Sequence, residues 1–247
     1  MKEIAIATGF KNKDILQFLY ANMKSRLDFC KTLITSYTDS NFAYLLFACE
    51  KDFHEPCEAI VKDIIIEYIE TVYKADYIKG RIKNNSNSLA YNAYIKVLSL
   101  FDKSTDENAL KKIIIFNQIF FIDSFLEFRL APLKKHWDNL ANLSKENLTL
   151  FNSESFVDVI KYLINTMESE VYKVKVVCDG DSFSVYNIKS KNDKIQKIAE
   201  CSNALELFTN VINSCPNYID VYTNNNNEAV SFLSNVFSNR LKIYNKN

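Results

Sequence analysis

Glycine, proline and histidine are scarce in this chain of 247 residues, which has three glycines, three prolines and two histidines. A loop that cradles phosphate groups needs several glycines close together, whereas Gly9, Gly80 and Gly180 lie far apart. His54 and His136 are also widely separated, and neither belongs to a His-Glu-x-x-His metal motif. We therefore expect no nucleotide cofactor, no metal ion and no histidine-based catalytic group.

The chain also lacks an excess of charge, because 30 basic and 30 acidic residues balance. It therefore has no overall positive field to attract nucleic acid or an anionic membrane. Its longest apolar run, residues 113–122, is interrupted by Asn117 and Gln118. This run is far shorter than the roughly 20 residues that cross a bilayer. We interpret it as a buried core helix and expect no association with membranes.

Paired cysteine motifs are absent as well, since no Cys-x-x-Cys sequence occurs. The opening residues do not have the pattern of a secretory signal peptide. We therefore expect a cytoplasmic protein with reduced, mostly buried thiols. The six cysteines are Cys30, Cys49, Cys57, Cys178, Cys201 and Cys215.

What the chain does have is hydrophobic periodicity, beginning with an alternation that predicts a strand over residues 2–8. Apolar residues at helical spacing follow in residues 14–26. Two further runs, 29–37 and 42–50, flank a turn-forming Thr-Asp-Ser-Asn sequence and are typical of strands. The pattern predicts a small β-α-β-β unit over residues 1–52.

The middle of the chain, residues 53–170, has the apolar spacing of a helical domain. Ser104 and Glu107 have the spacing of a capping box. We expect a long helix from Asp106 toward Leu130, which Pro132 kinks or ends. The other predicted helices cover residues 56–82, 89–101, 133–143 and 154–168.

The last segment, residues 171–247, changes to short alternating runs separated by turn residues. The sequence around Gly180 is typical of a hairpin turn, and the asparagines before Glu228 can cap a helix. The order β-β-α-β-α-β predicts a mixed sheet, which places the whole chain in the α+β (mixed α/β) class. Predicted strands are 171–177, 183–188, 218–222 and 241–244, and predicted helices are 204–213 and 228–237.

The end of the predicted long helix is unusual, because charged residues follow the most apolar stretch of the chain. Asp123 and Glu127 share one face of a helix at i and i+4. If this end is buried, Arg129 needs an acidic partner, because an unpaired buried charge is costly. The candidate partners are Glu67, Glu70 and Asp76. The candidate binding or structural motif consists of Asp123, Phe125, Glu127, Phe128, Arg129 and Leu130.

The same segment carries a resemblance to a known family. Phe125-Leu-Glu-Phe-Arg-Leu130, and the order and spacing of several motifs around it, resemble the sporulation protein family called YtxC over about residues 55–247. The other matching segments are 64–82, 156–168, 204–208, Cys215-Pro216, 218–222 and 237–243. The cysteines near the C-terminus of that family are missing here, since this chain ends Tyr-Asn-Lys-Asn.

The resemblance implies a role in endospore formation with no established biochemical activity, so no catalytic residues follow from it. The first hypothesis is therefore a non-catalytic binding or regulatory protein with an unknown protein partner. The second is a hydrolase-like enzyme in which Asp123 and Glu127 form a carboxylate pair. The third, which we do not expect, is a weak nucleic-acid binder that uses residues 79–83 and 134–137 as basic segments with an aromatic.

Overall fold

The computed structural model of the protein describes residues 2–28, 31–82, 88–148, 153–180, 182–190, 194–225 and 227–245. The chain forms two compact units. The first consists of Met1–Tyr77 and Asp102–Ala141, and the second of Ile78–Phe101 and Asn142–Asn247. Each unit combines helices with a mixed sheet, so the predicted α+β fold is confirmed.

The first part of the chain contains β1 (Lys2–Gly9), α1 (Asp14–Arg26), β2 (Leu33–Thr38), β3 (Phe42–Cys49), α2 (His54–Tyr68), a π-helical turn (Ile69–Tyr73), α3 (Lys74–Ile82), α4 (Leu89–Leu100) and α5 (Lys103–Ile113). There follow β4 (Ile119–Phe121), α6 (Ile122–Ser124), a second π-helical turn (Phe125–Arg129), α7 (Ala131–Leu148) and α8 (Ser153–Thr166). The last part contains β5 (Val171–Asp179), β6 (Ser182–Ile188), β7 (Gln196–Cys201), α9 (Ala204–Asn213), β8 (Pro216–Tyr222), α10 (Glu228–Phe237) and β9 (Leu241–Tyr244). Short 3-10 turns cover Phe10–Asn12, Lys51–Phe53 and Ser238–Arg240.

The sheet of the first unit has the strand order β2-β3-β1-β4. Strand β1 is antiparallel to β3, with Ile4 opposite Phe47 and Ile6 opposite Leu45, and all four side chains are buried. Helix α1 packs on β1 and β3. The predicted order of elements, β-α-β-β, is therefore confirmed. The sequence predicted three segments, residues 1–52, 53–170 and 171–247. Residues of the middle segment belong to both compact units.

The predicted long helix from Asp106 toward Leu130 is wrong, because α5 ends at Ile113. Residues 119–121 form β4 instead, which pairs in parallel with Ala5–Ala7 of β1. The backbone N–H of Ala5 also donates to the carbonyl of Gln118 at 3.1 Å. The apolar run 113–122 is thus not a core helix, because the edge of β1 offers its backbone a strand partner. A short apolar run does not by itself distinguish a strand from a helix.

The start of α5 also differs from the prediction. The helix begins at Lys103, and its N-cap residue Asp102 has a φ of 57° and no side-chain capping bond, so Ser104 is not a cap. Asp106, the predicted first residue of the helix, lies in its first turn and is fully buried. Pro132 lies in the first turn of α7, where its missing N–H has no intrahelical partner to lose.

The second unit has a five-stranded sheet with the order β7-β6-β5-β8-β9. Strands β5 and β8 are parallel, and so are β8 and β9, whereas β5, β6 and β7 pair antiparallel. Helices α4, α8, α9 and α10 pack against one another. Gly180 has a φ of 60° at the β5–β6 turn, and Asn227 caps α10 by accepting from the N–H of Val230. Both local predictions are confirmed.

Five cysteines are buried and form no disulfide with one another: Cys49, Cys57, Cys178, Cys201 and Cys215. Cys30 lies outside the described residues. Within the described ranges, every helix is too short or too polar to cross a bilayer.

A buried ion pair lies in the first unit. Lys74 Nζ donates to Asp106 Oδ2 at 2.7 Å, and both side chains are fully buried. The indole Nε1 of Trp137 donates to the same oxygen at 3.0 Å. Lys74 Nζ also lies 5.8 Å from the centroid of the Trp137 ring. The carboxylate of Asp106 therefore holds both the only tryptophan of the chain and a lysine in the core.

Glu70, one helical turn before Lys74, is also buried, and its Oε1 has no hydrogen-bond partner among the described residues. Burial raises the pKa of Glu70 to about 8, with further effects from the charges of Lys103, Glu107, Asp106 and Lys74. Glu70 is therefore mostly protonated at neutral pH, since a neutral carboxyl is cheaper to bury than a carboxylate.

Candidate functional site

The six residues of the predicted motif separate into buried and exposed groups. Phe125 and Leu130 are buried in the core. Asp123 is half-buried, whereas Glu127, Phe128 and Arg129 are exposed. A π-helical turn has a wider backbone repeat than an α-helix. In the turn Phe125–Arg129 the first two side chains are buried and the last three are exposed.

The buried ion pair predicted for Arg129 is not formed. Arg129 is exposed, and no carboxylate of a described residue lies within ion-pair distance of it. One proposed partner, Glu67, pairs with Arg26 instead. Another, Glu70, is buried away from solvent. Arg129 is thus a cation at the surface, and its charge does not need a buried acidic partner.

One concavity of the first unit, which we name the apolar groove, runs between β4 and the π-helical turn Phe125–Arg129. Its volume is about 530 Å³. It is lined by Lys112, Ile113, Ile115, Asn117, Ile119, Phe120, Phe121, Ser124, Phe125, Phe128 and Arg129. The only charged residues in this lining, Lys112 and Arg129, are both cations.

A second concavity of the first unit, which we name the acidic cleft, has a volume of about 690 Å³. Asp123 and Glu127 both line it, as predicted from their spacing. The complete lining is Asn12, Asp14, Ile15, Phe18, Tyr68, Val72, Tyr73, Asp76, Asp123, Leu126, Glu127 and Lys134. Four carboxylates therefore face one lysine in this cleft.

Asp123 has a structural role in the cleft. Its Oδ2 accepts from Thr8 Oγ1 at 2.9 Å and from the Gly9 N–H at 2.5 Å. Its Oδ1 accepts from Asn12 Nδ2 at 2.9 Å. Three donors around the end of β1 thus hold one carboxylate, which leaves it poorly placed for proton transfer. The two carboxylates of the proposed enzyme, Asp123 and Glu127, therefore line one cleft, but Asp123 stabilises the fold through its hydrogen bonds.

We expect Asp123→Ala to lower the free energy of unfolding by about 2 to 3 kcal/mol, because it removes hydrogen bonds to a charged acceptor and leaves the buried hydroxyl of Thr8 without this partner. Urea denaturation measures this loss. Glu127→Ala is the matched control, since it removes an exposed carboxylate from the same segment and should change stability by about 0.5 kcal/mol or less. Equal stability of the two variants would contradict an anchoring role for Asp123.

The aromatic residue of the basic segments proposed for nucleic acid is not available at the surface. Trp137, the aromatic of the second segment, is fully buried against Asp106. Lys134 lies over the rings of Tyr73 and Tyr77. Lys79 belongs to the other compact unit and donates to Asn92, and Lys83 lies outside the described residues.

Sequence reasoning did not predict the other walls of either concavity. The sequence predicts a buried helix for Ile115, Ile119 and Phe121. Their exposure could therefore not be predicted without β4. The aromatic residues Phe18 and Tyr68 were correctly placed on helices but had no feature that marked them as cleft residues. The i, i+4 spacing of Asp123 and Glu127 was the one useful sign in the sequence.

Among the described residues, no group of three or more His, Cys, Asp or Glu side chains could hold a metal ion. Comparison with known proteins found no match to a family model, to a curated protein or to a solved structure.

Proposed function

We propose that this chain is a non-catalytic binding protein that takes an apolar, acidic segment of a partner protein into the apolar groove. The observation that carries the proposal is the exposure of large apolar side chains in one place. Ile115 is 70% exposed and Phe128 is 69% exposed. Ile119 and Phe121 are 44% and 42% exposed. A contiguous exposed apolar surface of this kind is typical of a protein interaction site.

The backbone beside the groove favours an extended partner. Strand β4 is at the edge of its sheet and pairs only with β1. An edge strand presents unpaired N–H and C=O groups, to which a peptide can add as a further strand. Ile119 and Phe121 of β4 line the groove and are available to side chains of such a peptide.

The charge of the groove indicates which residues the partner carries. Lys112 and Arg129 are exposed and form no ion pair with a described residue. Arg129 can bind a carboxylate through two parallel N–H bonds. An apolar segment that includes aspartate or glutamate complements both the hydrophobic and the cationic parts of the groove.

The cellular setting in the proposal comes from the resemblance to the sporulation family. The order and spacing of the motifs over residues 55–247 support a role in endospore formation, and a cytoplasmic location agrees with that setting. We propose no cofactor and no catalytic step. An enzyme that uses Asp123 and Glu127 is a weaker alternative, because Asp123 already accepts three hydrogen bonds.

The direct test is selection of displayed random peptides against the immobilised full chain. We expect enrichment of peptides that combine large apolar residues with aspartate or glutamate. Phe128→Ser combined with Arg129→Glu should weaken binding of a selected peptide by about tenfold or more, as expected for an aromatic and an arginine in a binding site. Fluorescence anisotropy of a labelled peptide measures the affinity.

The control replaces an equally exposed aromatic elsewhere. Tyr162 is 69% exposed on α8 of the second unit, and Tyr162→Ser combined with Lys51→Glu makes the same type of change without touching the groove. Both double variants should unfold at the same denaturant concentration as the wild type, because all four side chains are exposed. Selected peptides without acidic residues, or equal affinity for both double variants, would contradict the proposal.

A further inference from the structure

The acidic cleft carries negative charge that the described part of the chain does not neutralise. Asp14, Asp76 and Glu127 line it, and none of them forms an ion pair with a described residue. All three are exposed to solvent in the cleft. The one cation in the lining is Lys134. The cleft is therefore complementary to a ligand that brings positive charge.

Aromatic rings form another part of the wall. The rings of Phe18 and Tyr68 lie with centroids 5.4 Å apart and planes inclined by 59°. Lys134 Nζ lies 5.6 Å from the ring centroid of Tyr73 and 5.6 Å from that of Tyr77. This is the range in which an ammonium group is attracted to the face of an aromatic ring. Tyr73, which lines the cleft, thus already binds one ammonium group, that of Lys134.

A polar group without a partner points to a ligand in the same place. Tyr68 is only 9% exposed, lines the cleft, and forms no hydrogen bond with a described residue. Burial, followed by the negative charge of Asp76 and smaller effects of Tyr73, Asp123 and Asp14, raises the pKa of Tyr68 to about 12. Its hydroxyl is therefore neutral at physiological pH and can accept a hydrogen bond from a ligand.

We propose that the acidic cleft binds an aliphatic diamine or polyamine. Its ammonium groups pair with the carboxylates of Asp14, Asp76 and Glu127. Its methylene chain packs on the apolar part of the wall, where Ile15, Val72 and Leu126 lie. The volume of about 690 Å³ is within the range of small-molecule sites.

A simple metal ion fits this cleft less well than an organic cation. No group of acidic or other ligating side chains in the described residues converges closely enough to hold a metal. The wall also combines carboxylates with ring faces, which favour alkylammonium groups over strongly hydrated divalent ions. This site is separate from the apolar groove, so the proposal does not depend on the proposed function.

Lys134 gives the proposal a sharp test, because its ammonium group is a competitor that belongs to the protein. Replacing it with methionine keeps most of the chain length and removes the positive charge. The amine should then bind more tightly, since repulsion is removed and the face of Tyr73 becomes available. Neutralising carboxylates with Asp76→Asn and Glu127→Gln should have the opposite effect.

The experiment is isothermal titration calorimetry of the full chain with 1,5-diaminopentane and with spermidine at neutral pH and low salt. We expect saturable binding, about tenfold weaker in the Asp76→Asn, Glu127→Gln double variant and several-fold tighter in Lys134→Met. Glu55→Gln is the matched control, because it neutralises an exposed carboxylate at the far end of α2, about 20 Å along the helix from Tyr68. It should leave the affinity unchanged.

Three outcomes would overturn the proposal. The first is no saturable binding by the wild type at millimolar amine. The second is equal affinity of the wild type and the double variant, each with a native thermal unfolding transition. The third is displacement of the amine by an equal concentration of MgCl2, which would identify an unspecific counterion effect. If Lys134→Met does not fold, Lys134→Gln replaces it, and unchanged affinity in that variant counts against the proposal.

Discussion

Asp106→Ala should lower the free energy of unfolding by about 3 to 5 kcal/mol, because it removes the carboxylate that pairs with the fully buried Lys74. Lys74 Nζ and Asp106 Oδ2 are 2.7 Å apart, with neither side chain reaching solvent. The substitution also removes the acceptor of the Trp137 indole N–H. A buried cation without a carboxylate is among the most destabilising defects that a single substitution creates.

Trp137 is the only tryptophan of the chain and touches the ion pair directly, so its fluorescence during urea denaturation reports on this region. The matched control is Glu107→Ala, which breaks an exposed ion pair with Lys111 on the same helix and should cost about 1 kcal/mol or less. Replacing both charges, as in Lys74→Met with Asp106→Leu, should recover part of the stability, because no isolated charge remains although the Trp137 N–H still lacks this acceptor. A double variant no more stable than Asp106→Ala would show that the pair contributes through packing alone.

The buried ion pair illustrates what the sequence could and could not predict. Where a signal is local, the prediction succeeded: α1, α9 and α10 and strand β9 have the predicted bounds. Lys74, by contrast, is one of many lysines on a predicted helix. Its burial depends on Asp106, which lies 32 positions further along the chain. Only the tertiary packing of α5 against α2 and the π-helical turn Ile69–Tyr73, which directly precedes Lys74, makes the two residues partners.

Two strands, β4 and β7, are missing from the prediction, and both depend on contacts with neighbouring strands. Strand β4 has three residues and needs β1 to satisfy its backbone. Strand β7 lies at the edge of its sheet, and most of its side chains are exposed on both faces. Without one buried face, a strand shows no clear alternation of polar and apolar residues. Such strands are defined by their neighbours.

The candidate site shows a similar division. The sequence predicted that Asp123 and Glu127 share a face, and both line the acidic cleft. It could not predict that Asp123 accepts from Thr8, which lies 115 positions away. It also could not predict the exposure of Phe128 and Arg129, which lie in a π-helical turn where an α-helix was expected. Local spacing thus identified the segment, and the long-range contacts assign its two sides different roles.

Glu70→Gln should remove a large pH dependence of stability. In the folded chain burial raises the pKa of Glu70 to about 8, whereas the ordinary value is 4.5. Between these two pH values the folded state holds a proton that the unfolded state has released. The favourable contribution of the protonated carboxyl is therefore complete below about pH 4.5 and decreases as the pH rises, until it is lost near pH 8. The change over this window is about 3 to 5 kcal/mol.

The measurement is the unfolding free energy of wild type and variant at several pH values between 5 and 9, compared as a difference so that the titration of other groups cancels. Glutamine has nearly the same shape as the protonated glutamate but cannot ionise. The unfolding free energy of the variant minus that of the wild type should therefore increase as the pH rises, and it should stay constant above the pKa of Glu70. The control is Glu55→Gln, at an exposed position on the helix that leads to Glu70. Its unfolding free energy should change with pH in the same way as that of the wild type. A difference that stays constant between pH 5 and pH 9 would contradict the prediction, because it would mean that Glu70 is ionised over this whole range in the folded chain as well as in the unfolded chain.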